Sequence, residues 1–190
     1  EMFFDNMRIP HKNMMGGQGQ GWYVAMTALA AERSGGGSGF IGGAVAMGGL
    51  GTSDLIGADI LVELAKKTKR YGKSVWEESA FRQRIMQIAI EFEALRWSGT
   101  RLLAKVMAGT PIGNEASVLK NFQAEMRQRR GDLTCDIIGA YSQMIRGSTR
   151  SVDEGDHVYN MLRARGATIE MGTSEINRNI IAERILGLPR

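Results

Sequence analysis

Residues 81–106 read FRQRIMQIAIEFEALRWSGTRLLAKV. Phe81, Ile85, Ile88, Phe92, Leu95, Gly99, Leu102 and Val106 step by alternating intervals of four and three. That spacing winds one apolar stripe down a long helix and leaves charged residues on the other face. A heptad-like stripe of this length is the signature of helix-on-helix packing in a bundle. The stretch stops at Ala108-Gly109-Thr110-Pro111, a cluster of helix breakers.

The pattern continues on both sides. Downstream, Asn114 is placed to cap a helix with Glu115 in its first turn. Leu119, Phe122, Met126, Leu133 and Ile137 keep one stripe as far as Gly139 and Tyr141. Residues 142–156 are polar and irregular, and a short helix is expected over 157–165. The last helix is expected to start at Thr173, which can cap it. Ile176, Ile180, Ile181 and Ile185 form its apolar face, and Gly187 and Pro189 end it. Upstream, helical spacing begins at Trp22. Residues 1–20 differ: MFFDNMRIP reads as a strand and HKNMMGGQGQG as a loop. A single strand is unstable alone, so its partners must come from elsewhere. The expected fold is mainly α: an up-down four-helix bundle with an extra short helix, preceded by one strand left from a β domain. The division is 1–20 for the end of that β domain and its connecting loop, and 21–190 for the helical bundle.

Composition agrees. Of 190 residues, 43% are hydrophobic and 23% charged, enough for a packed core and too apolar for global disorder. Three prolines and a low aromatic share suit long helices better than many short strands. The net charge of +4 is spread along the chain with acids interleaved; its densest run is Lys66-Lys67-Thr68-Lys69-Arg70. No aromatic–basic interleaving accompanies it, so nucleic acid is not an expected partner. No apolar run approaches the ~20 residues of a membrane span. Cys135 stands alone, which excludes a disulfide within the chain and makes a reducing, cytoplasmic setting the expectation. His11 and His157 show no ligand spacing, and no metal is expected. Trp22, Trp76 and Trp97 read as packing residues. The chain opens on Glu, not Met, so an earlier segment is expected.

One motif points elsewhere. Gly37-Ser38-Gly39-Phe40-Ile41-Gly42 spells G-x-G-x-x-G, the dinucleotide-binding turn. That turn needs a strand before it. The preceding WYVAMTALAAERSG has helical, not alternating, spacing, and glycines are so dense from 35 to 51 that a chance match is expected. A glycine-loaded helix is the better reading. Each interior Gly costs about 0.5–1 kcal/mol against Ala, which suggests close approach by a neighbouring backbone or a flat ligand.

The closing GTSEINRNIIAERILGLPR resembles the C-terminal end of acyl-CoA dehydrogenases, in which Gly-Thr-Ser/Asn-x-Ile-x-Arg opens the last helix. FFDNMRIPHKNMMGGQGQGW resembles the end of that family's middle β domain, LAAERSGG its first bundle helix and NEASVLKNFQAEM its third. The resemblance spans the chain but only the back half of a family member. It implies FAD, bound without the dinucleotide turn, and α,β-desaturation of an acyl-CoA. A base removes the α-proton and flavin N5 receives the β-hydride. By position, Gly172, Thr173 and Glu175 would contact the cofactor. Thr173 serves equally as a plain helix cap and Glu175 as a first-turn acid. In the family's Arg-x-x-Phe-Gly motif, Thr68 stands at the arginine position before Tyr71-Gly72; Arg70 or Lys67 could substitute. The family's usual base position, just before Gly-Thr, holds Met171. Its backbone N–H could still bond the thioester oxygen. A subset of members carries the base on the first bundle helix before an arginine, the pattern of Glu32-Arg33. Glu32 is therefore the expected base, with Arg33 orienting it, and Glu170 the alternative; a surface charge pair is the plainer reading of Glu32-Arg33. The resemblance further implies a homo- or hetero-oligomer, and an electron-transfer flavoprotein or similar acceptor. The alternative function is a non-catalytic subunit of a heteromeric acyl-CoA dehydrogenase.

Overall fold

The structure, a computed structural model, describes residues 3–33, 58–110 and 113–189. Six α-helices are found there: α1 Gly21–Arg33, α2 Ala58–Lys67, α3 Ser79–Met107, α4 Glu115–Ile138, α5 Asp156–Ala167 and α6 Ser174–Ile180, the last running into a π turn at Ile181–Ile185. The mainly helical architecture is the one expected. The glycine-rich stretch with its G-x-G-x-x-G match lies outside the described residues, as do the side chains of 29–33.

The stripe on α3 does what its spacing demands. Phe81, Ile85, Ile88, Leu95, Gly99 and Leu102 are buried, Phe92 packs against the core, and only Val106 at the end is exposed. Ile85 and Ile88 meet Leu133, Ile137 and Ile138 from the end of α4, together with Leu61 and Leu64 of α2. Leu95 and Leu102 meet Leu119 and Met126 from its beginning. The two helices therefore run antiparallel, with two apolar clusters along one seam.

α4 is the hub and touches each of the other five helices. This explains why its buried residues are spread around it, including Ser117, Lys120, Gln123 and Thr134. Its closest neighbour is α5. A Cβ added at Gly131 would lie 3.0 Å from Cα of Met161, so a glycine is what allows the two backbones to approach. Asn114 occupies the start of α4, but its side chain makes no cap hydrogen bond. Instead Glu115 pairs with Lys105 across the connection from α3. This pairing lowers the Glu115 pKa.

Two features differ from expectation. Residues 3–10 form no strand and pair with none of the described residues, and Phe3, Phe4, Met7 and Ile9 are exposed. A two-stranded ladder appears elsewhere, β1 Lys69–Arg70 against β2 Lys73–Ser74, closed by a Tyr71-Gly72 turn with both φ positive. That is the turn type whose twist suits a two-residue hairpin. The second difference is α6. Ile176 and Ile185 are exposed and Ile180 and Ile181 only half-buried, while Ser174 and Asn177 are buried. The face α6 turns to α4 is polar. Of the tryptophans only Trp76 packs against the core; Trp22 and Trp97 are exposed.

Candidate functional site

Of the predicted residues, Glu170, Met171, Gly172 and Thr173 lie on the strap between α5 and α6, and Glu175 lies in the first turn of α6. The strap leaves α5 at Thr168 and returns so that the Ser174 N–H bonds the Thr168 carbonyl at 3.0 Å. Closing so short a loop forces unusual backbone: Met171 has φ +56° and Gly172 φ +91°. For methionine that conformation costs about 1–2 kcal/mol. At Gly172 the positive φ favours glycine, and a Cβ there would also sit tightly, 3.3 Å from the Asn177 side-chain nitrogen.

Thr173 is the N-cap of α6, its hydroxyl accepting from the Ile176 N–H at 3.3 Å. The cap expected from sequence is present. Asn177, fully buried, donates from Nδ2 to the carbonyls of Gly172 at 2.8 Å and Thr173 at 2.9 Å. From the other side Lys120 of α4 donates from Nζ to the same Gly172 carbonyl at 2.5 Å. Lys120 is only 3% exposed, and burial lowers its pKa against the opposing pull of Glu170 and Glu175.

The strap's N–H groups are the other half of the geometry. Among the described residues, the N–H groups of Met171, Gly172 and Thr173 have no acceptor. They are only half-buried. Consecutive free N–H groups on strained backbone, at a helix start and above a buried ammonium, favour an anion or a developing oxyanion. Three buried side-chain atoms also lack partners among the described residues: Ser174 Oγ and Asn177 Oδ1 on α6, and Asn121 Oδ1 beside Lys120. Unsatisfied buried polar atoms are uncommon in a finished interior. The two amide oxygens call for donors, whereas the strap's N–H groups and the Lys120 ammonium suit an anionic group such as the diphosphate of a dinucleotide.

The remaining candidates lie around this point. Glu175 is fully exposed; its own backbone N–H and then the Thr173 hydroxyl hold its carboxyl below the usual range. Glu170 is paired with Arg163 at 2.7 Å. Arg70 is turned onto its own domain: Nη2 donates to the Asp136 carbonyl at 2.6 Å and the guanidinium stacks over Phe81, 5.0 Å from the ring centroid. Glu32 and Arg33 end α1, which lies against α4, but their side chains fall outside the described residues. Sequence reading missed Lys120 and Asn177. A signal existed for the first: Ser117, Ala124 and Gly131 form a row of small residues at seven-residue spacing on α4, and Lys120 lies in that row. Among the described residues no group of His, Cys, Asp or Glu is placed to hold a metal, and no helix is long and apolar enough to cross a membrane.

The fold and strap together define an all-α domain built on a central helix, with an anion-compatible turn before its last helix. Residues 19–186 match the family described as acyl-CoA dehydrogenase, C-terminal domain, and the chain belongs to that family. Acyl-CoA dehydrogenase IpdE1 of Mycobacterium tuberculosis is 30% identical over the whole chain, which spans 44% of that relative's length. Among solved structures, the glutaryl-coenzyme A dehydrogenase complex with glutaryl-CoA superposes with a TM-score of 0.73 at 22% identity, covering 98% of this chain and 43% of that one. The ChsE4–ChsE5 complex from Mycobacterium tuberculosis gives 0.74 at 24% identity, covering 99% and 45%. These two likenesses concern the fold.

Proposed function

We propose that the chain is the C-terminal part of an FAD-dependent acyl-CoA dehydrogenase that desaturates an acyl-CoA between Cα and Cβ. The observation that carries this reading is the strap. Free N–H groups at Met171, Gly172 and Thr173 fall on the residues that carry the family resemblance. In this reading Gly172, Thr173 and Glu175 hold the cofactor, with Arg70 as a further contact. FAD, when bound, supplies the acceptor for the two electrons of the oxidation.

The chain's own residues handle the proton and the carbonyl. Glu32 takes the α-proton. A carboxylate is a suitable base for this step once bound substrate excludes water. Arg33 orients it. The Met171 N–H donates to the thioester oxygen, where negative charge develops as the α-proton leaves. Met171 itself has no proton-accepting group. Glu170 is the alternative base, but its carboxylate already serves Arg163. Residues 1–20 end a β domain, to which the exposed Phe3, Phe4, Met7 and Ile9 belong, and 21–190 form the helical domain. Exposed Ile176 on α6 and Ile185 in the π turn after it support an oligomer. An electron-transfer flavoprotein or similar carrier reoxidises the flavin, in the cytoplasm.

A second reading is a non-catalytic subunit of a heteromeric enzyme, favoured by Met171 at the family's base position and by the two-protein ChsE4–ChsE5 neighbour. Anaerobic titration of the full-length, flavin-loaded protein with a panel of acyl-CoAs separates the two. Bleaching of the flavin absorbance supports the dehydrogenase. Bound flavin that no acyl-CoA bleaches in this chain alone, but that bleaches when a second related chain is added, supports the subunit.

A further inference from the structure

Lys120 is a buried cation that neither the base nor the cofactor contacts described above employ. It forms no ion pair among the described residues, and its acceptor is a single backbone carbonyl, that of Gly172. That carbonyl already has a donor in Asn177, so it does not need Lys120 to be satisfied. A buried ammonium is expensive to keep, and a neutral side chain in the α4 row would pack there at lower cost. What Lys120 adds is direction. Gly172 has no Cβ and a φ of +91°, so its peptide plane is free to turn unless something grips the oxygen. Two donors from different helices grip it: Lys120 from α4, the rigid hub, and Asn177 from α6 itself. Of these two, the Lys120 contact ties the Gly172 carbonyl to a helix other than α6, as the Arg163 pair ties Glu170 to α5.

We propose that Lys120 is the positioning residue of the strap: it locks the Gly172 carbonyl to α4 and thereby fixes the aim of the Met171 N–H. The functional half of this inference rests on the acyl-CoA reading, in which that N–H meets the thioester oxygen. The mechanical half does not. Met171, at φ +56°, is held in a conformation it would leave if released. Loosening the next carbonyl lets it relax towards ordinary backbone and swings its N–H away.

The test uses full-length, flavin-loaded wild type, Lys120→Met and Lys120→Arg. Two signals are read besides turnover. The first is amide hydrogen exchange of the peptide covering 168–178, with a peptide from 81–102 as control. Loss of one charge-assisted hydrogen bond is expected to speed strap exchange about tenfold or more while the control stays unchanged. The second is the carbonyl stretch of a bound enoyl-CoA labelled with carbon-13 at C1. Wild type should lower it relative to free ligand, Lys120→Met should lose most of that lowering with flavin still bound, and Lys120→Arg should recover part of both signals. The turnover defect should lie in kcat more than in KM. If Lys120→Met does not fold, Lys120→Gln, which keeps a neutral donor, carries the same comparison. Faster strap exchange with an unchanged carbonyl shift makes Lys120 merely structural and overturns the inference, as does no change in either signal. A wild type that shows neither bleaching nor a carbonyl shift overturns the acyl-CoA reading itself, a result separable from both.

Discussion

The two sides of α4 are built from opposite materials. Towards α3 it buries Leu119, Met126, Leu133 and Ile137 against a matching apolar stripe. Towards α6 it buries Lys120 against the Gly172 carbonyl of a strained strap, to which the buried Asn177 also donates. The first seam is non-directional: any well-packed hydrophobic of the right volume holds it. The second is directional, since each bond fixes an atom in one place, and it leaves Ser174 Oγ, Asn177 Oδ1 and Asn121 Oδ1 without a partner among the described residues. One side of the helix therefore supplies stability and the other supplies geometry. Sites of function are where polar atoms are left waiting.

Substitutions should separate these roles. On the apolar side Ile85 is fully buried, and Ile85→Ala should lower unfolding free energy by about 2–5 kcal/mol, read from denaturant midpoints. Flavin binding at low temperature should fall only as far as folding does. On the polar side Asn177→Leu removes two donors to the strap. It should cost about 1–3 kcal/mol, with flavin affinity weakened beyond what that stability loss explains; equal effects on both would dissolve the distinction. Thr173→Ala removes the cap of α6 and should cost about 1 kcal/mol, while Thr173→Ser should restore most of it. Smallest is Glu115→Gln. Lys105 holds the Glu115 carboxyl below the usual range, so the pair stabilises the fold above that range and is lost as pH falls through the folded-state value. Because the pair is still partly open to solvent, the variant should cost about 1 kcal/mol or less at pH 7 and flatten the acid side of the stability profile. Cys135 offers a control away from both seams: burial, then Asp132 and Asp136, push its thiol up. It should alkylate slowly at pH 7 until the protein unfolds.

The apolar side was legible in the sequence because periodicity reports burial. The stripe from Phe81 to Leu102 and the one from Leu119 to Ile137 carried over residue by residue. The Thr173 cap was legible for a similar reason, since a hydroxyl before a helical run has few other uses. The polar side was not. Ile176, Ile180, Ile181 and Ile185 gave α6 an apolar face, and burial in this chain follows Ser174 and Asn177 instead. A pattern shows that a face is apolar; it does not show which neighbour covers it. The strain at Met171 was hidden because methionine is not a residue that marks positive φ. Lys120 was hidden because a lysine on a helix is ordinarily solvated. The strand expected in MFFDNMRIP does not form over the described residues 3–10, for the reason the sequence itself gives: strands are made by partners.

In the proposed function, an acyl-CoA loses its α-proton to Glu32 while the strap holds the thioester. The most direct measurement is the rate of anaerobic flavin bleaching by a good acyl-CoA substrate in wild type, Glu32→Gln and Glu170→Gln, with flavin content matched. The predicted result is bleaching in wild type and Glu170→Gln, and bleaching slowed by about 10²- to 10⁴-fold in Glu32→Gln. Bleaching at the wild-type rate in Glu32→Gln, with its loss in Glu170→Gln, would contradict the claim and move the base onto the strap itself.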